Sequence, residues 1–206
     1  MSVANAAPAP VWIDTPAAAA HYAAQALHHT TVALDTEFIR TQTWHAELGL
    51  IQLAIPEGIA LLDPLVEGVT AALGGLMQAT QVHKIIHSAS EDLEVLGHAL
   101  GQIPTPLFDT QIAATLCGYQ QPPSYQKLVA AELGIALDKQ ATRTDWLKRP
   151  LDAEQLEALR EALREYDLKA LRRFEALKPA LASTLGATKI EALDAAIHGL
   201  RFDEAL

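Results

Sequence analysis

The run Thr31-Val32-Ala33-Leu34 is short, mostly apolar and strand-compatible, and it leads directly into Asp35 and Glu37. In an extended chain, residues i and i+2 point to the same face. A strand through this stretch therefore carries two carboxylates side by side. Like charges at short range repel, and burying either one is costly unless a cation is present. Two readings follow. The acids end a strand and face water, or they line a site for a divalent ion. Oxygen donors select hard ions such as magnesium or manganese.

The remaining chain constrains the choice. Its 206 residues suit one domain, with room for a small appendage. Half of them are hydrophobic and 19% are charged, with Ala and Leu abundant, so a helix-rich globular protein with a sizeable core is expected. The single Cys117 excludes an internal disulfide and any zinc site built on several cysteines, and it fits a reducing, cytoplasmic setting. Residues 1–10 have neither a basic nor an apolar region, so a flexible N-terminus is expected rather than a signal peptide. No apolar run is long enough for a membrane helix, and no membrane partner is expected. The net charge of −10 argues against duplex binding by a broad basic surface. It leaves room for a strand end held through metal ions, which supply positive charge locally.

In chain order, Val11-Trp12-Ile13 reads as an edge strand, Asp14 or Thr15 as a cap, Pro16 as a first-turn residue and 17–26 as a helix. His28 and His29 end that helix, where a contact with its dipole explains them more simply than a metal does. Residues 48–55 and 59–64 are two further apolar strands around Pro56-Glu57-Gly58, which predicts an antiparallel meander. A helix over 68–79, a buried strand over 83–87 and a helix over 88–100 follow, so a mixed sheet with helices on its faces is expected. Residues 101–106 read as a loop. Asp109 caps a helix that runs to Gly118, and 125–133 is another helix, ended by Gly134. Residues 135–149 read as irregular, and long and short helices are predicted at 153–177 and 186–197.

Asp92 falls in the first turns of the helix that leaves the buried strand, where a carboxylate can reach toward Asp35. Two acids on one strand and a third from a helix are the parts of a two-metal phosphoryl-transfer site. Here the chain resembles ribonuclease D and, more widely, the DEDD 3′–5′ exonucleases of the DEDDy type. The motifs that carry the likeness are Ala33-Leu34-Asp35-Thr36-Glu37-Phe38 with Leu48-Gly49-Leu50-Ile51-Gln52-Leu53, then His87-Ser88-Ala89-Ser90-Glu91-Asp92-Leu93-Glu94-Val95, then Asp109-Thr110-Gln111, then Leu137-Asp138-Lys139 and Thr144-Asp145-Trp146-Leu147-Lys148-Arg149-Pro150-Leu151. The resemblance implies an α/β ribonuclease H-like fold, a mixed β-sheet flanked by helices, over residues 11–180. It implies Asp35, Glu37 and Asp92 as catalytic and metal-site carboxylates for two Mg2+ or Mn2+ ions. Glu37 would also touch the terminal 3′-hydroxyl, and Thr36, Phe38 and His87 would lie at the nucleic acid. The implied function is metal-dependent 3′–5′ exonuclease action on ends of single-stranded RNA or short oligonucleotides, releasing nucleoside 5′-monophosphates.

Other readings stay open beside these. Phe38 also suits a core, His87 a structural hydrogen bond, Trp44 and Trp146 packing, and Asp109 a helix cap. Arg143, Lys148 and Arg149 suit either phosphate or a solvated loop. The likeness also breaks. The family places a Tyr and, four residues on, an Asp on the long helix; here those positions are Ala158 and Ala162. Tyr166 and Asp167 are adjacent, about 100° apart on a helix, and cannot replace an i, i+4 pair. Glu165, one turn from Ala162, is the better substitute. Residues 181–206 are expected to form only a short helical extension, without an additional RNA-binding domain. Impaired or altered activity is therefore expected. The alternative is a catalytically inactive pseudo-exonuclease that binds nucleotide, RNA or a protein partner. A third reading is a homo-oligomer that builds part of its site from a neighbour.

Overall fold

The computed structural model describes residues 10–40, 45–136 and 145–151. In chain order they form β1 (Val11–Ile13), α1 (Pro16–Ala26), β2 (Thr31–Ile39), β3 (Glu47–Ile55), β4 (Gly58–Leu62), α2 (Val69–Ala72), α3 (Gly74–Met77), β5 (His83–Ile86), α4 (Ser90–Leu100), β6 (Leu107–Asp109), α5 (Thr110–Leu116) and α6 (Tyr125–Leu133). The strands make one six-stranded sheet in the order β1-β4-β3-β2-β5-β6. The meander β2-β3-β4 is antiparallel, as expected. β1, β5 and β6 join in parallel, so the sheet is mixed.

Several expectations are met closely. Thr15 caps α1 with Pro16 in its first turn, and Asp109 caps α5; Ser124, not singled out in the sequence, caps α6. Three differ. The single helix predicted over 68–79 is two short ones, α2 and α3, with Gly74-Gly75 at the break, where backbone freedom weakens a helix. β6 lies where a loop was expected to give way to a helix cap. At three residues it is too short to show a period, and pairing with β5 creates it. His29 binds Glu57 at 2.8 Å, across to the β3–β4 turn, rather than serving the helix terminus alone.

β2 alternates as an amphipathic strand should. Val32, Leu34 and Thr36 are buried on one face, and Ala33 and Asp35 are exposed on the other. The buried face joins the main core, where Ile51, Leu53 and Ile55 of β3 meet α1, α2, α3 and α4. Gly49 is an extra residue in β3: Glu37 pairs with Leu50 but Phe38 with Leu48. The bulge reverses the alternation, so Leu48 joins the main core while Leu50 faces the other side, with Ile59, Leu61, Trp146 and Leu151. A Cβ on Gly49 would stand 2.6 Å from the Trp146 Cβ and 2.7 Å from its carbonyl oxygen. Glycine is what lets the 145–151 segment lie against the bulge.

Arg149 fastens that segment. Its Nε and Nη2 donate to the two Asp63 carboxylate oxygens at 2.6 Å each. Nη2 also reaches the Gly49 carbonyl at 2.8 Å, and Nη1 the Trp146 carbonyl at 2.8 Å. Arg149 is thus committed to Asp63 and the β3 backbone, and neither of the two readings of the sequence, phosphate or a solvated loop, describes it. Trp146 is buried, in keeping with packing.

Lys84 is a second buried cation, with no exposed surface. Its Nζ donates to the carbonyls of Ala79, Val82 and Thr105 at 2.8–3.0 Å. Burial pushes its pKa down to about 8.

Asp63 is only 4% exposed, so removing its partner strands a buried charge. Arg149→Met is expected to lower stability by about 3–5 kcal/mol, and Arg149→Lys to recover only part of it, because an ammonium cannot form the two-pronged contact. Urea unfolding followed by circular dichroism measures both.

Candidate active site

β2 owes its form to its neighbours. It pairs with β3 as far as Ile39, but with β5 only over Thr31 to Ala33. β5 then ends and the chain turns through Ser88, whose φ is +61°, into α4. The flank of β2 beyond Ala33 is left to the first turns of α4, which carry Asp92.

Asp109 builds that turn. Its Oδ1 accepts from Ser88 N at 3.0 Å and its Oδ2 from Ala89 N at 2.9 Å, while Oδ1 also accepts from Gln111 N at 2.8 Å and Ile112 N at 3.4 Å. Burial alone would raise the Asp109 pKa, but the backbone donors outweigh it and hold the carboxylate below its ordinary range. One side chain therefore caps α5 and fixes the entry to α4. The cap was legible in the sequence; the second role was not, because Ser88 and Ala89 are some twenty residues away.

Thr36 points opposite to Asp35 and Glu37, as alternation requires, and its hydroxyl donates to Asp92 Oδ1 at 2.5 Å. Both residues are buried. Thr36 thus holds a carboxylate, and its side chain faces inward, away from any strand end bound on the acid face. On that face Gln52, directly across the ladder, donates its amide to Asp35 Oδ2 at 3.2 Å.

Phe38 is partly buried against the main core. His87 is engaged at both ring nitrogens: Nδ1 with the Thr110 hydroxyl at 2.9 Å and Nε2 with the Pro123 carbonyl at 3.2 Å. Its ring meets the edge of Tyr125 at 5.2 Å. Desolvation lowers its pKa, and a neutral ring donates from Nε2 to the Pro123 carbonyl, while the Thr110 hydroxyl beside Nδ1 also lies 3.2 Å from the Ile86 carbonyl, to which it can donate. His87 therefore ties the end of β5 to α5 and to the loop before α6. Trp44, Arg143, Ala158, Ala162, Glu165, Tyr166 and Asp167 lie outside the described residues.

The electrostatics of the three acids single them out. Asp35 is pushed up to about 7, by desolvation first and then by the charge of Asp92. Glu37 is pushed up to about 8, by desolvation, then Asp35, then Asp92. Desolvation also raises Asp92, against the opposing bond from Thr36. Asp35 is nonetheless accessible to solvent. Among the described residues, Arg40, Lys84 and Arg149 have their own partners in Glu94, backbone carbonyls and Asp63.

Coupled oxygen donors that share no cation suit hard divalent ions. The three do not form one ligand set with all atoms within 4.8 Å.

Fold and site together define the class of protein. Residues 10–158 match the 3′–5′ exonuclease family, and the chain belongs to it. Within that family it is similar to ribonuclease D. It is 50% identical over 133 residues to ribonuclease D of Xanthomonas oryzae, covering 65% of this chain and 37% of that protein. It is 45% identical over 128 residues to ribonuclease D of Escherichia coli, covering 61% of this chain and 34% of that one. The crystal structure of E. coli RNase D superimposes with a TM-score of 0.71 at 36% identity, covering 87% of this chain and 48% of that one. The chain thus spans about a third of the length of these curated relatives and about half of that crystal structure. The mixed sheet with its helices is the ribonuclease H-like exonuclease fold, as expected.

Two outcomes follow from the site. Folding raises the pKa of Asp35 and Glu37 from ordinary values of 3.8 and 4.5, so their contribution to stability is full below about pH 4 and is lost as pH rises through about 7–8. Divalent ions bind the ionised form, so the rise in Tm on adding Mn2+ is expected to grow between about pH 5 and 9 and to vanish in Asp35→Asn/Glu37→Gln. Differential scanning calorimetry reads it. Thr36→Val keeps the volume but removes the donor to Asp92, and is expected to weaken Mn2+ binding about 10–100-fold by titration calorimetry.

Proposed function

We propose that this chain shortens RNA from its 3′ end by divalent-metal-dependent hydrolysis, releasing nucleoside 5′-monophosphates at a reduced rate. The observation that carries the reading is the electrostatic coupling of Asp35 and Glu37 to each other and to Asp92, which Thr36 holds beside their strand, in a chain of the 3′–5′ exonuclease family. RNA as substrate rests on similarity to ribonuclease D, of which the E. coli protein is described as an exoribonuclease involved in structured RNA processing. A cytoplasmic location accords with the lone, exposed Cys117.

Asp35, Glu37 and Asp92 would together hold Mg2+ or Mn2+, with Asp92 kept in place by the Thr36 hydroxyl and Asp35 by the Gln52 amide. Glu37 would also accept a hydrogen bond from the terminal 3′-hydroxyl. Bound ions would neutralise the three acids, activate water toward the terminal phosphodiester and steady the leaving oxygen. Phe38 and His87 would lie at the nucleic acid.

Ala158 and Ala162 supply neither a metal ligand nor a group to orient water. With them in place of Tyr and Asp, the rate is expected to fall by orders of magnitude unless Glu165 substitutes. The same two alanines favour the second reading, binding without turnover.

The test is shortening of a 5′-labelled oligoribonucleotide with Mn2+, resolved to single nucleotides on a gel. A ladder that is absent in Asp35→Asn and further slowed in Glu165→Gln is the expected result. If the folded protein at micromolar concentration leaves the RNA intact yet binds it with the same affinity with and without metal, the binding module is the correct reading.

A further inference from the structure

The exposed surface of α4 carries a group of side chains distinct from Asp35, Glu37 and Asp92. Glu94 and His98 are four residues apart on this helix and so share a face. His45, just before β3, reaches the same place. Its ring centroid lies 4.0 Å from that of His98, tilted by 45°, and its Nδ1 is 4.0 Å from Glu94 Oε1. One ligand atom from each of the three lies within 4.8 Å of the others, and all three residues are exposed.

We propose that His45, Glu94 and His98 bind a zinc-type transition-metal ion at a site separate from the hard-ion site of Asp35, Glu37 and Asp92. Two imidazole nitrogens and one carboxylate oxygen are a donor set for borderline ions, held at about 2.0–2.2 Å. Magnesium and manganese prefer oxygen donors alone. The two donor sets therefore sort ions between them. Donors on one tetrahedral ion at about 2.1 Å lie about 3.4 Å from one another, so closing the set from within 4.8 Å needs movements of up to about an ångström and a half, which rotations of exposed side chains supply. Exposure leaves the fourth position to water.

Arg40 shapes the site as well. Its Nη2 donates to Glu94 Oε2 at 2.9 Å and its Nη1 to Oε1 at 3.3 Å, fixing the carboxylate with Oε1 toward His45. A carboxylate oxygen has lone pairs for both a guanidinium and an ion. A bound ion would cross-link the entry of β3 to α4, two residues past Asp92. The competing account is that the histidines only stack and Glu94 serves Arg40 alone.

The experiment titrates Zn2+ into the full chain in the Asp35→Asn/Glu37→Gln background, which removes the acid site, and repeats it with His45→Ala or His98→Ala added. All the replaced histidines are exposed, and circular dichroism checks the fold of each variant. The expected result is one equivalent of Zn2+ bound in the background variant, with affinity lowered by each alanine at least as much as the loss of an outer partner would lower it, about 10–100-fold. Mg2+ in excess is expected not to displace it. Equal Zn2+ affinity with and without the histidines, or no Zn2+ bound by the folded background variant, overturns the proposal. Because the acid site is already disabled, the result is independent of whether the chain hydrolyses RNA.

Discussion

The charge of Asp92 raises the pKa of both Asp35 and Glu37, and among the described residues the side chains hydrogen-bonded to Asp35 and Asp92 are the neutral Gln52 and Thr36. Asp35 and Glu37 stand on one face of β2, and Asp92 comes from α4 with its oxygen on the Thr36 hydroxyl. Gln52 offers an amide to Asp35. A lysine or arginine there would relieve the repulsion, but it would also occupy the space and the lone pairs that ions need. The described arginines and the buried lysine are spent on Glu94, Asp63 and backbone carbonyls. The pKa values of Asp35 and Glu37 are raised first by desolvation and then by the neighbouring carboxylates, which favours cation binding to their ionised forms.

The sheet makes this possible by stopping β5 early. Were β5 to follow β2 past Ala33, its backbone would cover the flank where Asp92 approaches. Instead Asp109, at the end of β6, gathers the amides of Ser88 and Ala89 and sets the turn into α4. On the other side of β2, the Gly49 bulge shifts the alternation of β3 and opens a backbone surface on which Trp146 lies, with Arg149 tying that segment to Asp63 and to Gly49 itself. Both faces of the acid-bearing strand are thus fixed by contacts far apart in the chain.

Much of this was legible in the residues. The i, i+2 acids, the meander, the caps at Thr15 and Asp109 and the position of Asp92 in the first turns of its helix all follow from local periodicity and capping chemistry, and the structure shows each of them. Arg149 was weighed as meeting phosphate or solvating a loop, and it turns instead to a carboxylate. The bond from the Thr36 hydroxyl to Asp92 was not foreseen. β6 and the split between α2 and α3 were missed because three- and four-residue elements carry no measurable period.

The sequence by itself determined which residues bear charge on which face of the central strand, because alternation along an extended chain is a local property of its geometry. Only the tertiary structure decided that Asp92 meets that strand, that Thr36 holds it, and that His45 comes up against Glu94 and His98. Those meetings join segments about fifty residues apart, and no local rule fixes the angle at which a helix crosses the flank of a sheet.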